Sequence, residues 1–526
     1  MRWHTNPEHT TRYQRRTMTA STPAAMLNRF WWAGLLLICL LLTLLSARQI
    51  STDNIKGDAL QNLDIALALH HHQTFARITE DGLKPTNLRE PFPIMLTAAY
   101  LTLSGKDENY LKIGNLRAGE PARFVKLHNL AWVFFGLIAS WLLFSEITNN
   151  RFAGLLSVGG CFLFFFNNPY IVDSLYTELA AGVLLLWVAW SLMKALRKNG
   201  SAQWIVVGMV MGLLCLTKSA FLYIAPPVIL LIAFWSRTQN NAAPQPRSKD
   251  RIVRALLMGI GVLVMVAPWM YRNQMVFESA QITSGRSGWV LYKRALLNQM
   301  SDEEFRGAFS LFGPTLYRDL VKGTSLEVKV EDVKLKSGRL SRLYSGLSEY
   351  SRDDLRAQSR GEPENAVSLY RKTSALHVKL TKRMEQEGQR HPSLAADRLM
   401  QTQGMAMIMD DPVRHLTMSS LMLWRGFWNI PPQLDIPLLN NSRHKTKIIE
   451  LLNLFMGISL FAVFIFSFMK RNGALLALTA TPVLMIMFYT FLSQNIPRFF
   501  APAHPIMVIS VLVILHCIYA RSRAKA

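Results

Sequence analysis

The sequence predicts an all-α polytopic membrane protein, a bundle of about ten transmembrane helices with a mainly helical extracytoplasmic insertion. Three observations predict it. Half of the 526 residues are hydrophobic and 17% are charged, against about 25% charged in an ordinary soluble chain. Several apolar runs are long enough to cross a hydrocarbon core about 30 Å thick; Ile448–Met469 carries Glu450 as its sole ionisable side chain. Finally, the formal charge of +24 gathers beside such runs, at Arg12, Arg15, Arg16 and Arg29, at Lys194, Arg197 and Lys198, and at Arg237 through Arg254. That is the positive-inside pattern of a multi-span protein. Nucleic-acid binding would instead need a basic stripe on one face, so no nucleic-acid partner is expected.

The apolar runs fall at about 30–47, 124–145, 152–170, 177–193, 203–218, 220–235, 254–270, 448–469, 473–492 and 501–519. The basic tail 1–29 and the basic 194–202 loop are both expected on the cytoplasmic side, so an even number of crossings lies between them. Counting Pro91–Leu103 as a crossing would break that parity, and its 13 residues are better suited to an amphipathic helix on the outer face. The 204–235 stretch, interrupted at Lys218-Ser219, reads as a hairpin. This keeps Lys218 at the outer turn, since a lysine at the bilayer centre costs about 2.5 kcal/mol or more.

The expected organisation is then a cytoplasmic basic tail (1–29), a transmembrane module (30–270) with a first outer loop at 48–123, an extracytoplasmic region (271–446), and C-terminal transmembrane helices with a short basic tail (447–526). Both termini are expected in the cytoplasm of a cell inner or plasma membrane. The N-terminal apolar run follows a 29-residue lead and reads as an uncleaved first span rather than a secretory signal. Cys39, Cys161, Cys215 and Cys517 all lie in apolar segments, which leaves no disulfide framework or zinc cluster to build.

With directions assigned, polar residues beside the spans collect on one side: Asp53, Asp58, Asp64, Arg89 and Glu90, then Asp173 and Glu178, Lys218, Arg272 and Asn273, and Asn495 and Arg498. Single charges at span ends often only snorkel to the interface. As a set, carboxylates with Lys and Arg suit a reaction on a lipid-borne phosphate. The cations stabilise a phosphate leaving group, and a carboxylate serves as general base toward a hydroxyl.

The wording around these residues carries a resemblance. The blocks are Gly57-Asp58-Ala59, Arg89-Glu90-Pro91-Phe92-Pro93, Asp173 to Glu178, Gly212 to Lys218, Pro268-Trp269-Met270-Tyr271-Arg272-Asn273 and Pro497-Arg498-Phe499-Phe500-Ala501-Pro502. In this order the chain resembles the GT-C superfamily of polyprenyl-phosphate-sugar-dependent glycosyltransferases, in the bacterial branch related to protein mannosyltransferases and aminoarabinose transferases. The resemblance spans about 30–519 and is weakest over 271–446. It implies an inverting transfer from a polyprenyl-phosphate-linked sugar donor to an extracytoplasmic acceptor glycan, lipid or protein. It also implies Asp58 as catalytic base, Lys218, Arg272 and Arg498 at the donor phosphate, and Arg89, Glu90, Asp173, Glu178 and Asn273 positioning the acceptor or supporting the loop.

The sequence departs from the family pattern in three places. Leu60 to Leu63 lacks a tyrosine often found there, Lys218 stands for Arg, and Phe499 stands for Tyr. Lysine binds phosphate as a point charge without a bidentate fork.

No cofactor or metal site is expected, although some branches hold a divalent ion between paired acids. His70, His71 and His72 project about 100° apart on a helix and cannot converge on one ion. The competing classes are a lipid-linked-sugar flippase, which would place ionisable groups at the membrane midplane, and a non-catalytic envelope assembly protein.

Overall fold

The computed structural model describes residues 23–235, 247–343, 352–428, 442 and 444–525; expectations on residues 1–22 of the basic tail and on the 236–246 loop lie outside them. The chain is an all-α polytopic membrane protein. Among the described residues seven helices are long and apolar enough to cross a membrane: Trp31–Gln49, Gly119–Thr148, Glu178–Lys198, Ser248–Phe277, Lys445–Lys470, Gly473–Leu492 and Pro497–Arg523. The other three expected spans are the shorter apolar helices Arg151–Phe166, Ser201–Thr217 and Phe221–Trp235. At 1.5 Å per residue each is roughly 22–26 Å long, short of the hydrocarbon core. Phe221–Trp235 also carries Pro226 and Pro227 in its interior and finishes in a π-turn, where the missing amide hydrogens weaken the helical ladder.

Burial varies along the bundle as a membrane protein requires. The Glu178–Lys198 helix is central, with buried residues on all sides. Trp31–Gln49 and Ser248–Phe277 keep rows of exposed Leu, Ile and Val, surface that only lipid would cover. Helices meet through small residues. A Cβ on Gly208 would lie 2.1 Å from the Met258 carbonyl oxygen, and one on Gly261 would lie 2.2 Å from that of Ile205. This lets Ser201–Thr217 and Ser248–Phe277 cross at backbone contact, as small-residue packing between membrane helices does.

Two opposite ends of the bundle have different chemistry. At one end Lys194 and Arg197 pair with Glu146, and Arg471 lies over the Trp235 ring at 4.2 Å. At the other end are the first-loop helix Gly57–His72, a two-stranded antiparallel ribbon (Ala76–Thr79 with Gly82–Pro85), the helix Pro91–Leu103 and the 271–446 region. Pro91–Leu103 forms with the expected bounds and a proline at its start.

The described part of 271–446 is mainly helical, and two connections tie it to the spans. Arg294, fully buried, donates to the carbonyls of His415 at 3.0 Å and Thr490 at 3.5 Å and to Ser419 Oγ at 2.7 Å. Glu450 accepts from the backbone N–H of Thr315 at 2.7 Å and of Leu316 at 3.2 Å. The only ionisable group of the 448–469 run thus caps a helix of the 271–446 region, and its charge is met by N-terminal amides.

Candidate functional site

The first-loop helix begins where Lys56 is extended and Gly57 adopts φ +57°, a conformation that favours glycine. That turn sets Asp58 in the first helical turn, where the exposed amides favour a negative charge. Glu178 likewise lies in the first turn of its own helix, Glu178–Lys198. Lys218 follows the last turn of Ser201–Thr217, and Arg498 sits in the short Pro497–Phe500 turn after the Gly473–Leu492 helix.

These segments surround one cavity of about 450 Å³. Its charged lining is Asp58, Arg89, Glu90, Glu178, Lys218, Arg286 and Arg498; the apolar wall includes Tyr223, Val290, Met405, Phe488, Leu492 and Phe499. Four cations therefore face three carboxylates beside aromatic and aliphatic surface, a chemistry suited to an anion carried on an apolar chain.

Asp58 is the centre of the charge network. One carboxylate oxygen accepts from Arg89 Nη2 and lies 3.8 Å from Arg286; the other accepts from Arg498 Nη2 at 2.8 Å. Burial disfavours the charged form of Asp58, but Arg89 and Arg498 outweigh it and hold the carboxyl below the usual carboxylate range. Arg89 is itself fixed by Gln61 Oε1, which accepts from its Nε at 3.1 Å and its Nη2 at 2.5 Å. Arg498 also forms an ion pair with Glu178 at 3.3 Å and stacks over the Tyr176 ring at 4.6 Å.

Lys218 donates to Glu178 at 2.9 Å, with both side chains less than a tenth exposed. Glu90 accepts from the backbone N–H and hydroxyl of Ser219 at 3.3 and 3.2 Å. In turn Thr283 donates to the Ser219 hydroxyl at 3.0 Å.

Three expected site residues are not brought to this cavity. Arg272 donates to the carbonyls of Thr86 and Phe75 and to Asn273 Oδ1, all at 2.9 Å. Its guanidinium is also flanked by the rings of Trp269, Phe277 and Phe75 at 4.9–5.8 Å. It ties the ribbon to the span end, away from this cavity. Asn273, fully buried, donates to the carbonyls of Gln281 and Ile282 at 2.7 and 3.1 Å. Asp173 accepts from Lys126 at 2.9 Å and from the Ser51 amide and hydroxyl at 2.8 and 2.6 Å, in a separate polar cleft of about 350 Å³.

Two other first-loop aspartates, Asp53 and Asp64, separate in the same way. Asp53 lies in that second cleft, while Asp64 lies 3.8 Å from Arg77 and burial lifts its carboxyl above the usual range. His70 contacts Thr102 at 2.9 Å. Among the described residues no three His, Cys, Asp or Glu side chains group closely enough to hold a metal ion.

Arg286 is the residue that sequence reasoning missed. It follows a span by nine residues, outside any recognisable block. Three hydrogen bonds and one glycine set its place: Ser284 donates to Asn87 Oδ1 at 2.6 Å, Asp397 accepts from the Gly288 and Trp289 amides at 3.1 and 2.9 Å, and Gly285 takes φ +76°. The available signal was the Gly285-Arg286-Ser287-Gly288 turn before a helix.

No protein-family model matches the chain, and no curated protein does. Solved structures do. A crystal structure of the Archaeoglobus fulgidus oligosaccharyltransferase tethered to an acceptor peptide containing the NVT sequon is similar at TM-score 0.45 and 11% identity, over 95% of this chain and 51% of that one. The archaeal oligosaccharyltransferase AglB from the same organism, in complex with an inhibitory peptide and a dolichol-phosphate, is similar at TM-score 0.41 and 14% identity, over 95% and 52%. The chain spans about half the length of these proteins.

Proposed function

We propose that the chain is a membrane glycosyltransferase that moves a sugar from a polyprenyl-phosphate donor to an acceptor hydroxyl on the extracytoplasmic face, with inversion at the transferred carbon. One observation carries this reading. Asp58, Arg89, Glu90, Glu178, Lys218 and Arg498 come from five separate segments of the chain and line one cavity that also has an apolar wall. Each belongs to a block by which the sequence resembles the GT-C superfamily.

In the proposed reaction the acceptor O–H gives its proton to the Asp58 carboxylate. The acceptor oxygen forms a bond to the anomeric carbon as the bond from that carbon to the phosphate oxygen breaks. Attack from the opposite face inverts the centre, and polyprenyl phosphate leaves with the bonding pair. Lys218 and Arg498 meet the charge that develops on the phosphate. Glu178 holds both cations in place, Arg89 orients Asp58, and Glu90 fixes the Ser219 turn beside Lys218. The sugar-phosphate bond is already activated, so positioning and charge supply most of the catalysis. The apolar wall would receive the first isoprene units.

The test is direct. Purified protein in lipid nanodiscs is incubated with a panel of polyprenyl-phosphate sugars and envelope extracts, and released polyprenyl phosphate and glycosylated acceptor are measured by mass spectrometry. Sugar transfer that disappears in Asp58→Asn supports the reading. Absence of transfer and of phosphate release for every donor overturns it.

A further inference from the structure

A general base must be able to take a proton, yet Asp58 is surrounded by guanidinium groups. Arg89 and Arg498 both donate to it, and Arg286 lies 3.8 Å away. The three cations differ in how firmly they are held. Arg89 is 7% exposed and fixed by two further hydrogen bonds that it donates to Gln61 Oε1. Arg498 divides its guanidinium between Asp58 and Glu178. Arg286 is 41% exposed, its guanidinium donates no hydrogen bond among the described residues, and Asp58 is its only ion-pair partner there. It is free to turn toward another anion in the same cavity.

We infer that a phosphate entering this cavity takes over Arg286 and Arg498 from Asp58, so that donor binding itself releases the carboxylate to act as a base. The inference rests on the proposed glycosyl-transfer reading and adds Arg286 as a phosphate-binding residue in the place expected of Arg272. The phosphate and the Asp58 carboxylate compete for the same cations. A phosphate diester accepts several charge-assisted hydrogen bonds, and arginine's planar fork suits its paired oxygens. Lys218 is already paired with Glu178 at 2.9 Å, so the least committed cation is the first available to an incoming phosphate.

Once Arg286 and Arg498 turn, Asp58 keeps Arg89 alone and gains a neighbouring negative charge. Both changes favour its protonated form. The other titratable groups facing the cavity are Glu90, Glu178, Lys218, Tyr176 and Tyr489. Without donor, Asp58 stays locked as a carboxylate, which guards against proton transfer with no sugar in place.

Difference infrared spectroscopy tests the exchange. The carboxyl band lost in Asp58→Asn identifies the Asp58 titration, which is followed in the full-length protein with no ligand, with polyprenyl monophosphate, and with inorganic phosphate. Binding is measured in parallel by calorimetry. The expected result is that polyprenyl monophosphate moves the Asp58 midpoint upward by about one pH unit or more, the size of one nearby charge. In Arg286→Gln the ligand-free midpoint should already be raised and the ligand-induced movement smaller. Binding of polyprenyl monophosphate with an unmoved Asp58 midpoint overturns the inference while leaving the transferase reading intact. Failure of polyprenyl monophosphate to bind, with inorganic phosphate alone moving the midpoint, supports the exchange but overturns the lipid-donor reading. Failure of both to bind overturns both.

Discussion

Arg498 donates to Asp58 at 2.8 Å across 440 residues of chain. The last apolar segment is thereby joined to the first loop at the point where the proposed chemistry occurs. The same guanidinium lies 3.3 Å from Glu178, so three separate helix ends share one charge network.

Asp58→Asn keeps the size of the side chain and much of its hydrogen bonding while removing its basicity. Loss of a general base typically lowers the rate by about 10²–10⁴-fold. Turnover should fall by that factor while polyprenyl phosphate binding, followed by calorimetry, persists. Near wild-type transfer by Asp58→Asn, with loss in Asp53→Asn or Asp64→Asn, would move the base to one of those residues.

The acid side of the pH profile follows from the same contacts. In the ligand-free protein Asp58 is held below the usual carboxylate range, and kcat/KM reports the free enzyme. Its acid limb should therefore lie below about pH 3.9, the ordinary aspartate value. The sign for stability agrees. A depressed folded-state value means that the Asp58 contribution is fully present above the unfolded value and is lost as pH falls through the folded one. Thermal melting of wild type against Asp58→Asn should show the difference between them shrink only at acid pH.

Lys218 and Glu178 form a buried pair. Removing one member of such a pair costs about 3–5 kcal/mol because a charge is left without its partner, whereas neutralising both is far milder. Lys218→Ala should lower the melting temperature more than Lys218→Met combined with Glu178→Gln. Both should lose transfer, and Lys218→Arg should retain more of it than Lys218→Ala. Equal melting temperatures for the single and double variants would show that the pair does not act as a unit.

Arg272→Ala should destabilise the protein without changing donor affinity, because its guanidinium bonds two carbonyls and Asn273 away from the cavity. Arg272→Lys should recover little, since an ammonium cannot reproduce a planar fork that also stacks on rings. A rise in donor KM at unchanged stability would return Arg272 to the phosphate.

Gly288→Ala tests how Arg286 is positioned. A Cβ there would lie 1.8 Å from the Asp397 carbonyl oxygen, too close for the Ser287–Leu296 and Pro392–Asp410 helices to stay in register. Faster proteolysis of the 271–446 region and weaker polyprenyl phosphate binding are expected together. Faster proteolysis with unchanged binding would show that this contact does not set Arg286.

Apolar runs and the charges beside them were enough to identify an all-α membrane protein, to locate its apolar segments and to mark the blocks with charge at their ends. These properties are local: an apolar run declares its own environment, and Pro91, Gly57 and the span-end residues set helix starts through their own backbone preferences. Asp58, Glu178, Lys218 and Arg498 were expected on one side of the bundle because each closes or opens a segment there; their shared cavity comes from the packing. Which of Arg272 and Arg286 lines the cavity was visible only once the chain had folded. Arg272 lies on the Ser248–Phe277 helix and in the Pro268 to Asn273 block, whereas Arg286 follows that helix in a loop with no block to mark it. Arg272, still on the helix, finds the carbonyls of Phe75 and Thr86, while the turn held by Asn87, Gly285 and Asp397 carries Arg286 to Asp58. Side-chain destination depends on which distant backbone lies within a few ångströms, and that is fixed only when the first loop, the 271–446 region and the span ends pack together.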